Sequence, residues 1–217
     1  SEDFRRGLER VLEEARRAEP ENPKVRLAVS ALSVADGKLE SAIRELEALP
    51  RPAWTPRVVL TLGELYVRAG KYEAAAEVLR PFVQRFPGVP AARYFLGYAL
   101  LGTNRSDQAI EHFTEVVRQM PGNALARYAL GAAYVQAGRG REALAQLEPL
   151  ARDLGRLPDY HLQLGRARLL LGQVDAAIRA GESAARLAPD SPTAYAFLGG
   201  LYVTRGDLRK AQEMYSR

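Results

Sequence analysis

A 34-residue period runs through most of this chain of 217 residues and constrains its fold more than any other feature. A leucine-glycine pair recurs at that interval, and its glycines are Gly63, Gly97, Gly131, Gly165 and Gly199. An alanine recurs with the same spacing, at Ala75, Ala109, Ala143, Ala177 and Ala211. Self-similarity at a fixed period of this length is the signature of a protein built from stacked structural repeats.

Each 34-residue unit, with position 1 at Pro56 in the first clear example, predicts two helices joined by a short turn. The turn residue at position 15 tolerates the left-handed conformation that closes a helix, and it is Gly70, Asn104, Gly138, Gly172 or Gly206. Prolines at position 32 are expected to end the second helices, at Pro87, Pro121 and Pro189. Large residues at positions 24 and 27 are expected to fill the core, and they are Leu79, Phe82, Phe113, Val116, Leu147 and Leu150.

The same register divides residues 1–217 into one continuous all-α domain. Residues 1–22 are predicted to form the second helix of a preceding repeat. Full repeats follow at 23–55, 56–89, 90–123, 124–157 and 158–191, and a truncated repeat occupies 192–217. Because a repeat array needs polar capping units at its ends, we expect a piece of a longer protein or an end that packs on another subunit.

These positions resemble the tetratricopeptide repeat family, whose units carry leucine at position 7, glycine or alanine at 8, tyrosine at 11, alanine at 20 and proline at 32. Tyr66, Tyr134 and Tyr202 supply position 11. The resemblance is strong over residues 56–217 and weaker over 23–55, where Ser30 replaces the glycine. It implies an α-solenoid, a right-handed superhelix of stacked 34-residue helix-turn-helix repeats, that acts as a protein-interaction scaffold.

In this family the first helices line a concave groove, and positions 2, 5, 9, 12 and 13 point into it. On this register the resemblance assigns partner binding to Arg57, Leu60, Glu64, Arg68, Tyr94, Tyr98, Leu101, Leu125, Tyr128, Gln136, Leu162 and Arg166. Two nearly identical phrases, AARYFLGYALLG at 91–102 and LARYALGAAYVQ at 125–136, place Tyr94 and Tyr128 at position 5. We interpret these tyrosines as an aromatic ladder that grips an extended or helical peptide, because tyrosine is large and rigid and carries one polar group. The alternative is a recent duplication in which the tyrosines only cover helix surface.

Two further expectations concern arginines. Arg93 and Arg127, which precede the tyrosines, are expected to pair with a carboxylate or a main-chain carbonyl of the partner. Arg168 at position 11 and Gly181 at position 24 depart from the pattern and are expected to loosen the packing of repeat 158–191, or, with Arg166, to serve a site.

The nature of the partner is narrowed by position 9, which contains no asparagine in any repeat. Tetratricopeptide domains that bind the acidic C-termini of chaperones use asparagine there, together with basic residues at positions 2, 5 and 6. The resemblance therefore favours a more apolar protein segment. Self-association through the open repeat ends is the alternative function, and it would make the chain a homo-oligomer.

The residues that carry chemistry are sparse, and we expect neither an enzyme nor a cofactor or metal site. The chain has no cysteine, its two histidines, His112 and His161, fall in different repeats, and the glycine-rich GRGRE at 138–142 lacks the lysine of a phosphate loop. No run of about 18 apolar residues predicts membrane insertion.

The net charge of +5 is spread along helices on which arginines alternate with glutamates, which is typical of a solvated surface rather than a nucleic-acid interface. The arginine- and alanine-rich composition indicates a GC-rich bacterial genome. It resembles bacterial tetratricopeptide proteins of envelope, secretion and exopolysaccharide systems, which favours a periplasmic or membrane-associated location and leaves the compartment open.

Overall fold

The computed structural model describes residues 2–217, and these residues form helices and turns without any strand. The helices are α1 Glu2–Ala18, α2 Pro23–Ala35, α3 Leu39–Glu47, α4 Pro56–Arg68, α5 Tyr72–Arg85, α6 Pro90–Gly102, α7 Ser106–Gln119, α8 Ala124–Gln136, α9 Gly140–Leu147, α10 Ala151–Leu154, α11 Pro158–Leu170, α12 Val174–Leu187, α13 Pro192–Arg205 and α14 Leu208–Tyr215. Single 3₁₀ turns lie at Arg51–Ala53 and Glu148–Leu150. The predicted all-α class of helix-turn-helix repeats is confirmed.

The helices form two compact units. The N-terminal unit contains the described residues up to Thr103, and in it α2 packs on α3, α4 on α5 and α5 on α6. The C-terminal unit, Asn104–Arg217, contains the pairs α8 with α9, α11 with α12 and α13 with α14, preceded by α7. The division falls between α6 and α7, within the predicted repeat 90–123.

The helix boundaries follow from proline, glycine and asparagine. Proline occupies the first turn of five first helices, at Pro23, Pro56, Pro90, Pro158 and Pro192, where its missing N–H costs nothing and its fixed φ suits the helix. The predicted left-handed turn residues have positive φ angles, from 57° at Asn104 to 86° at Gly206. The prolines at position 32 follow the ends of α5, α7 and α12, as predicted.

The core lies between the two helices of each pair. Ala75, Ala109, Ala143 and Ala177 are fully buried, and every large residue predicted at positions 24 and 27 is at most 8% exposed. A Cβ atom on Gly63 would lie 2.5 Å from Cδ2 of Leu79, and one on Gly131 would lie 2.7 Å from Cδ2 of Leu147. At Gly63 and Gly131 the glycine is therefore required for the close approach of a first helix to the leucine of its second helix.

The expectation of loosened packing in repeat 158–191 is wrong. A Cβ on Gly181 would lie 2.8 Å from Cδ2 of Leu198 and 3.3 Å from Cδ1 of Phe197, so side chains of the following repeat fill the space that glycine leaves. Phe197 also lies against Gly165, at 2.8 Å from a Cβ built there.

Position 11 forms a link between successive repeats, and Arg168 preserves it. The hydroxyl of Tyr66 donates a hydrogen bond of 2.7 Å to Glu47, and that of Tyr202 donates one of 3.1 Å to Glu182. Arg168 lies 3.9 Å from Glu148, which occupies the corresponding place in the preceding repeat. The arginine thus replaces a tyrosine-carboxylate hydrogen bond by an ion pair.

Candidate partner-binding surface

We define the first-helix surface as the residues at positions 2, 5, 9, 12 and 13 of the first helices. In the N-terminal unit these helices are α2, α4 and α6, and α4 contacts α6. In the C-terminal unit they are α8, α11 and α13, and α11 contacts both of the others. Each unit therefore presents side chains from adjacent first helices on a surface of its own.

Two tyrosines of this surface contact each other in the N-terminal unit. The rings of Tyr94 and Tyr98, one turn apart on α6, meet edge to face with centroids 5.0 Å apart and planes at 71°. The hydroxyl of Tyr94 donates to that of Tyr98 over 3.4 Å. Both rings are part-buried, so they combine a fixed orientation with an accessible edge. Such an aromatic pair provides contact area with little side-chain entropy left to lose.

A cavity of about 620 Å³ lies between α2 and α4 on the same unit. Its lining is mostly aliphatic and includes Leu27, Ala31 and Val34 of α2, and Lys24 and Arg57 are its cationic residues. Among these residues only Arg57 was predicted for the site. Leu27, Ala31 and Val34 occupy positions 5, 9 and 12 of repeat 23–55, so the same register applied to that repeat would have found them.

The remaining predicted residues of the N-terminal unit are accessible to different degrees. Arg68 lies 3.8 Å from Glu64, one turn away, and both side chains are more than 40% exposed. Arg57 is exposed, whereas Leu60 and Leu101 are part-buried.

In the C-terminal unit the predicted residues divide into exposed and packed groups. Leu125, Gln136 and Arg166 are exposed, and Gln136 donates a hydrogen bond of 2.9 Å to Asn104. Tyr128 is part-buried and packs on the core cluster that contains Tyr160. The ladder that would include Tyr128 stays a prediction.

Leu162 is a correction to the predicted site. It is only 4% exposed and belongs to the core cluster of Ile178 and Leu198. Its position 5 was expected to face a ligand, but in this unit the side chain is used to pack α11 against its neighbours.

The arginine of the repeated phrase also has a different role from the expected one. At position 4 of four repeats, a side-chain nitrogen forms a hydrogen bond with the backbone carbonyl oxygen six residues earlier, at the end of the preceding repeat. The pairs are Arg26 with Pro20 at 2.7 Å, Arg93 with Pro87 at 2.8 Å, Arg127 with Pro121 at 3.2 Å and His161 with Gly155 at 2.8 Å. These carbonyls lie beyond the last helical turn, where the helix offers no donor. The side chains therefore stabilise the junctions between repeats from within the chain.

Three buried tyrosines that lie between successive repeats have raised pKa values. Burial raises the pKa of Tyr66, and its hydrogen bond to the Glu47 carboxylate raises it further. Burial likewise raises the pKa of Tyr160, and burial followed by the bond to Glu182 raises that of Tyr202. These phenols stay protonated at neutral pH and act as hydrogen-bond donors.

Within residues 2–217 there is no group of three histidine, aspartate or glutamate side chains placed to hold a metal ion. Over the same residues no helix combines the length and the apolar character that crossing a bilayer demands.

Paired helices that recur with the 34-residue period, with proline at the start, a left-handed turn and a glycine at the close contact, define an α-helical repeat protein of the helix-turn-helix type. Two family models of the tetratricopeptide repeat match the chain, one over residues 60–124 and the other over residues 105–164. Residues 60–164 of the chain are therefore tetratricopeptide repeats.

Several solved structures share this fold. MamA 41-end from Desulfovibrio magneticus RS-1 is 23% identical, with a TM-score of 0.65 over 74% of this chain and 91% of that chain. A tetratricopeptide repeat protein from Parabacteroides merdae has a TM-score of 0.71 at 17% identity, over 88% of this chain and 76% of that chain. The thermophilic protein TTC0263 from Thermus thermophilus is 27% identical, with a TM-score of 0.63 over 75% of this chain and 89% of that chain. No curated protein matches the chain in sequence.

Proposed function

We propose that this protein is an interaction scaffold that binds an extended segment of a partner protein on the first-helix surface. Tetratricopeptide repeat proteins are generally non-enzymatic scaffolds for protein partners, and the match of residues 60–164 to that family supports the general role. The residues that we assign to the partner within the N-terminal unit are Arg57, Leu60, Glu64, Arg68, Tyr94, Tyr98 and Leu101.

The observation that carries the proposal is the edge-to-face pair of Tyr94 and Tyr98. Tyrosine is enriched among the residues that contribute most binding energy to protein interfaces, and its rigid ring loses little freedom when it is covered. The Glu64–Arg68 ion pair supplies charged groups nearby on α4.

The cavity between α2 and α4 favours a partner segment with an apolar side chain. Leu27, Ala31 and Val34 offer an aliphatic wall, and Lys24 and Arg57 offer positive charge at the same cavity. Apolar pockets with a few convergent polar groups are the usual form of a specific binding site. The partner segment is therefore apolar with acidic neighbours.

Site-specific photocrosslinking tests this assignment. A photoreactive amino acid in place of Leu101 should capture a partner by its extended segment, while the same amino acid in place of Arg80, an exposed residue of the second helix α5, should not. Equal capture at both positions would contradict the proposed surface.

Self-association is a second candidate function, and exposed apolar side chains on α1 and α14 favour it. Phe4 is 74% exposed, Leu208 is 69% exposed and Tyr215 is 57% exposed. Uncovered apolar side chains at the faces of a repeat array tend to find another protein surface. Sedimentation at several concentrations separates this candidate from peptide binding.

A further inference from the structure

A second cavity, of about 410 Å³, lies in the N-terminal unit away from the first-helix surface. Its walls are aromatic: Trp54 from the linker that precedes α4, and Phe82 and Phe86 from the end of α5. Arg51 and Arg85 also line it. The volume falls within the range of about 300–1,000 Å³ that is usual for ligand sites.

The aromatic walls are held in place before any ligand arrives. The indole nitrogen of Trp54 donates a hydrogen bond of 3.0 Å to the carbonyl of Leu49, and the guanidinium of Arg51 lies over the Trp54 ring, 4.0 Å from its centroid. The rings of Phe82 and Phe86 have centroids 4.9 Å apart. A pocket whose walls are already fixed loses little conformational entropy on binding.

The cavity arises where the chain departs from its 34-residue period. Repeat 23–55 is one residue short, and its linker forms the 3₁₀ turn Arg51–Ala53 that brings Trp54 to the wall. Pro81 lies inside α5, and because proline has no N–H, the carbonyl of Glu77 lacks its usual partner from position i+4. Both Pro81 and Glu77 line the cavity.

The charged residues that line the cavity indicate which class of ligand it binds. Within residues 2–217 neither Arg51 nor Arg85 forms an ion pair with a carboxylate, and Arg85 lies 5.5 Å from the ring centroid of Phe86. Two arginines beside three aromatic rings suit a large apolar side chain with a carboxylate next to it. A nucleic acid would require a continuous run of basic residues, and Glu77 interrupts one here.

We propose that this cavity, the Trp54 pocket, is a second docking site for an internal segment of a partner protein in which an aromatic residue is followed by an acidic one. The aromatic side chain enters between Trp54 and Phe86, and the carboxylate pairs with Arg85. The site is separate from the first-helix surface and does not depend on it.

The chain offers a direct reporter, because Trp54 is its only tryptophan. The intrinsic fluorescence of Trp54, excited where tyrosine does not absorb, is titrated with three capped peptides: Ac-Ala-Phe-Asp-Ala-amide, its asparagine analogue and its Ala-Ala-Asp analogue. The aspartate peptide should bind about fivefold more tightly than the asparagine peptide, and the peptide without phenylalanine should leave the fluorescence unchanged.

Arg85→Gln should remove the preference for aspartate, while Arg80→Gln, at an exposed position on the same helix outside the cavity, should keep it. Phe86→Ala should weaken both phenylalanine peptides. A double Tyr94→Ala, Tyr98→Ala variant should bind all three peptides as the wild type does. Circular dichroism checks that each variant is folded. The proposal is overturned if no peptide changes the Trp54 fluorescence, or if the aspartate and asparagine peptides bind equally to the folded wild type.

Discussion

The residue at position 11 forms a hydrogen bond or an ion pair with a glutamate of the preceding repeat in three of the repeats. Tyr66 and Tyr202 donate to glutamates of the preceding repeat, and Arg168 reaches the equivalent Glu148. Tyr134 occupies the same position, but the equivalent residue of the preceding repeat is Thr114, which has no carboxylate to accept the bond. Tyr134 therefore serves as a control for the hydrogen bond of Tyr66.

Tyr66→Phe should lower the free energy of unfolding by about 1–2 kcal/mol, because it removes the hydrogen bond that the buried Tyr66 donates to the Glu47 carboxylate. Tyr134→Phe should change it by less than about 0.5 kcal/mol. Urea unfolding of both variants measures the difference. Equal losses in the two variants would mean that the hydrogen bond from Tyr66 to Glu47 adds nothing to stability.

The raised pKa of Tyr66 also makes the free energy of unfolding depend on pH. Its folded pKa is raised above the ordinary value of 10.0, first by burial and then by Glu47, so the folded state holds the phenolic proton more tightly than the unfolded state does. The stability from this group is complete below pH 10 and is lost as the pH rises through the folded pKa. Unfolding measured from pH 8 to 11 should show a steeper decline for wild type than for Tyr66→Phe, and parallel curves would contradict the assignment.

At the scale of the helix pair, glycine at position 8 sets how closely two helices approach. A side chain on Gly131 would overlap Leu147, whereas Gly122 in the loop before α8 has no atom within 4 Å of a Cβ built on it. Both backbones have conformations that other residues adopt, since neither has a positive φ.

Gly131→Leu should therefore cost about 1–3 kcal/mol of stability by overpacking α8 against α9. Gly122→Leu should be close to neutral. Thermal unfolding of the two variants provides the comparison, and an unchanged melting temperature for Gly131→Leu would show that the assigned register of the helix pairs is wrong.

Most of the helix-pair structure was predictable from the sequence, because its determinants recur. Glycine, alanine and proline at fixed positions predict the close contacts and the helix ends, and the structure has them there. Features that depend on one repeat alone were not predictable. Phe197 fills the space of Gly181 from the following repeat, and Trp54, the only tryptophan of the sequence, lines its pocket from the linker before α4.

The candidate site was predictable in outline, since the first-helix register found Tyr94 and Tyr98. It failed at Leu162, which tertiary packing buries, and the sequence did not predict the hydrogen bonds that Arg93 and Arg127 form within the chain. Their bonds to carbonyls six residues earlier depend on the path of the loop, which side-chain type alone does not reveal.

At the scale of the whole molecule, the exposed apolar side chains of α1 and α14 predict self-association. Phe4→Glu combined with Leu208→Glu should shift the chain toward the monomer in sedimentation velocity, because it replaces two highly exposed apolar side chains by charges. Substituting two exposed arginines, Arg10 and Arg209, by glutamine is the matched control on the same helices. A wild type that is monomeric at every concentration would remove this candidate function.

We propose binding of a partner segment across the pair of Tyr94 and Tyr98 in the N-terminal unit. Its most direct test is the affinity of the segment captured at Leu101, measured by calorimetry against wild type and against Tyr94→Ala with Tyr98→Ala. We predict a loss of about 2 kcal/mol or more, roughly thirtyfold in Kd, with the helical circular dichroism unchanged. An unchanged affinity in the folded double variant would contradict the claim.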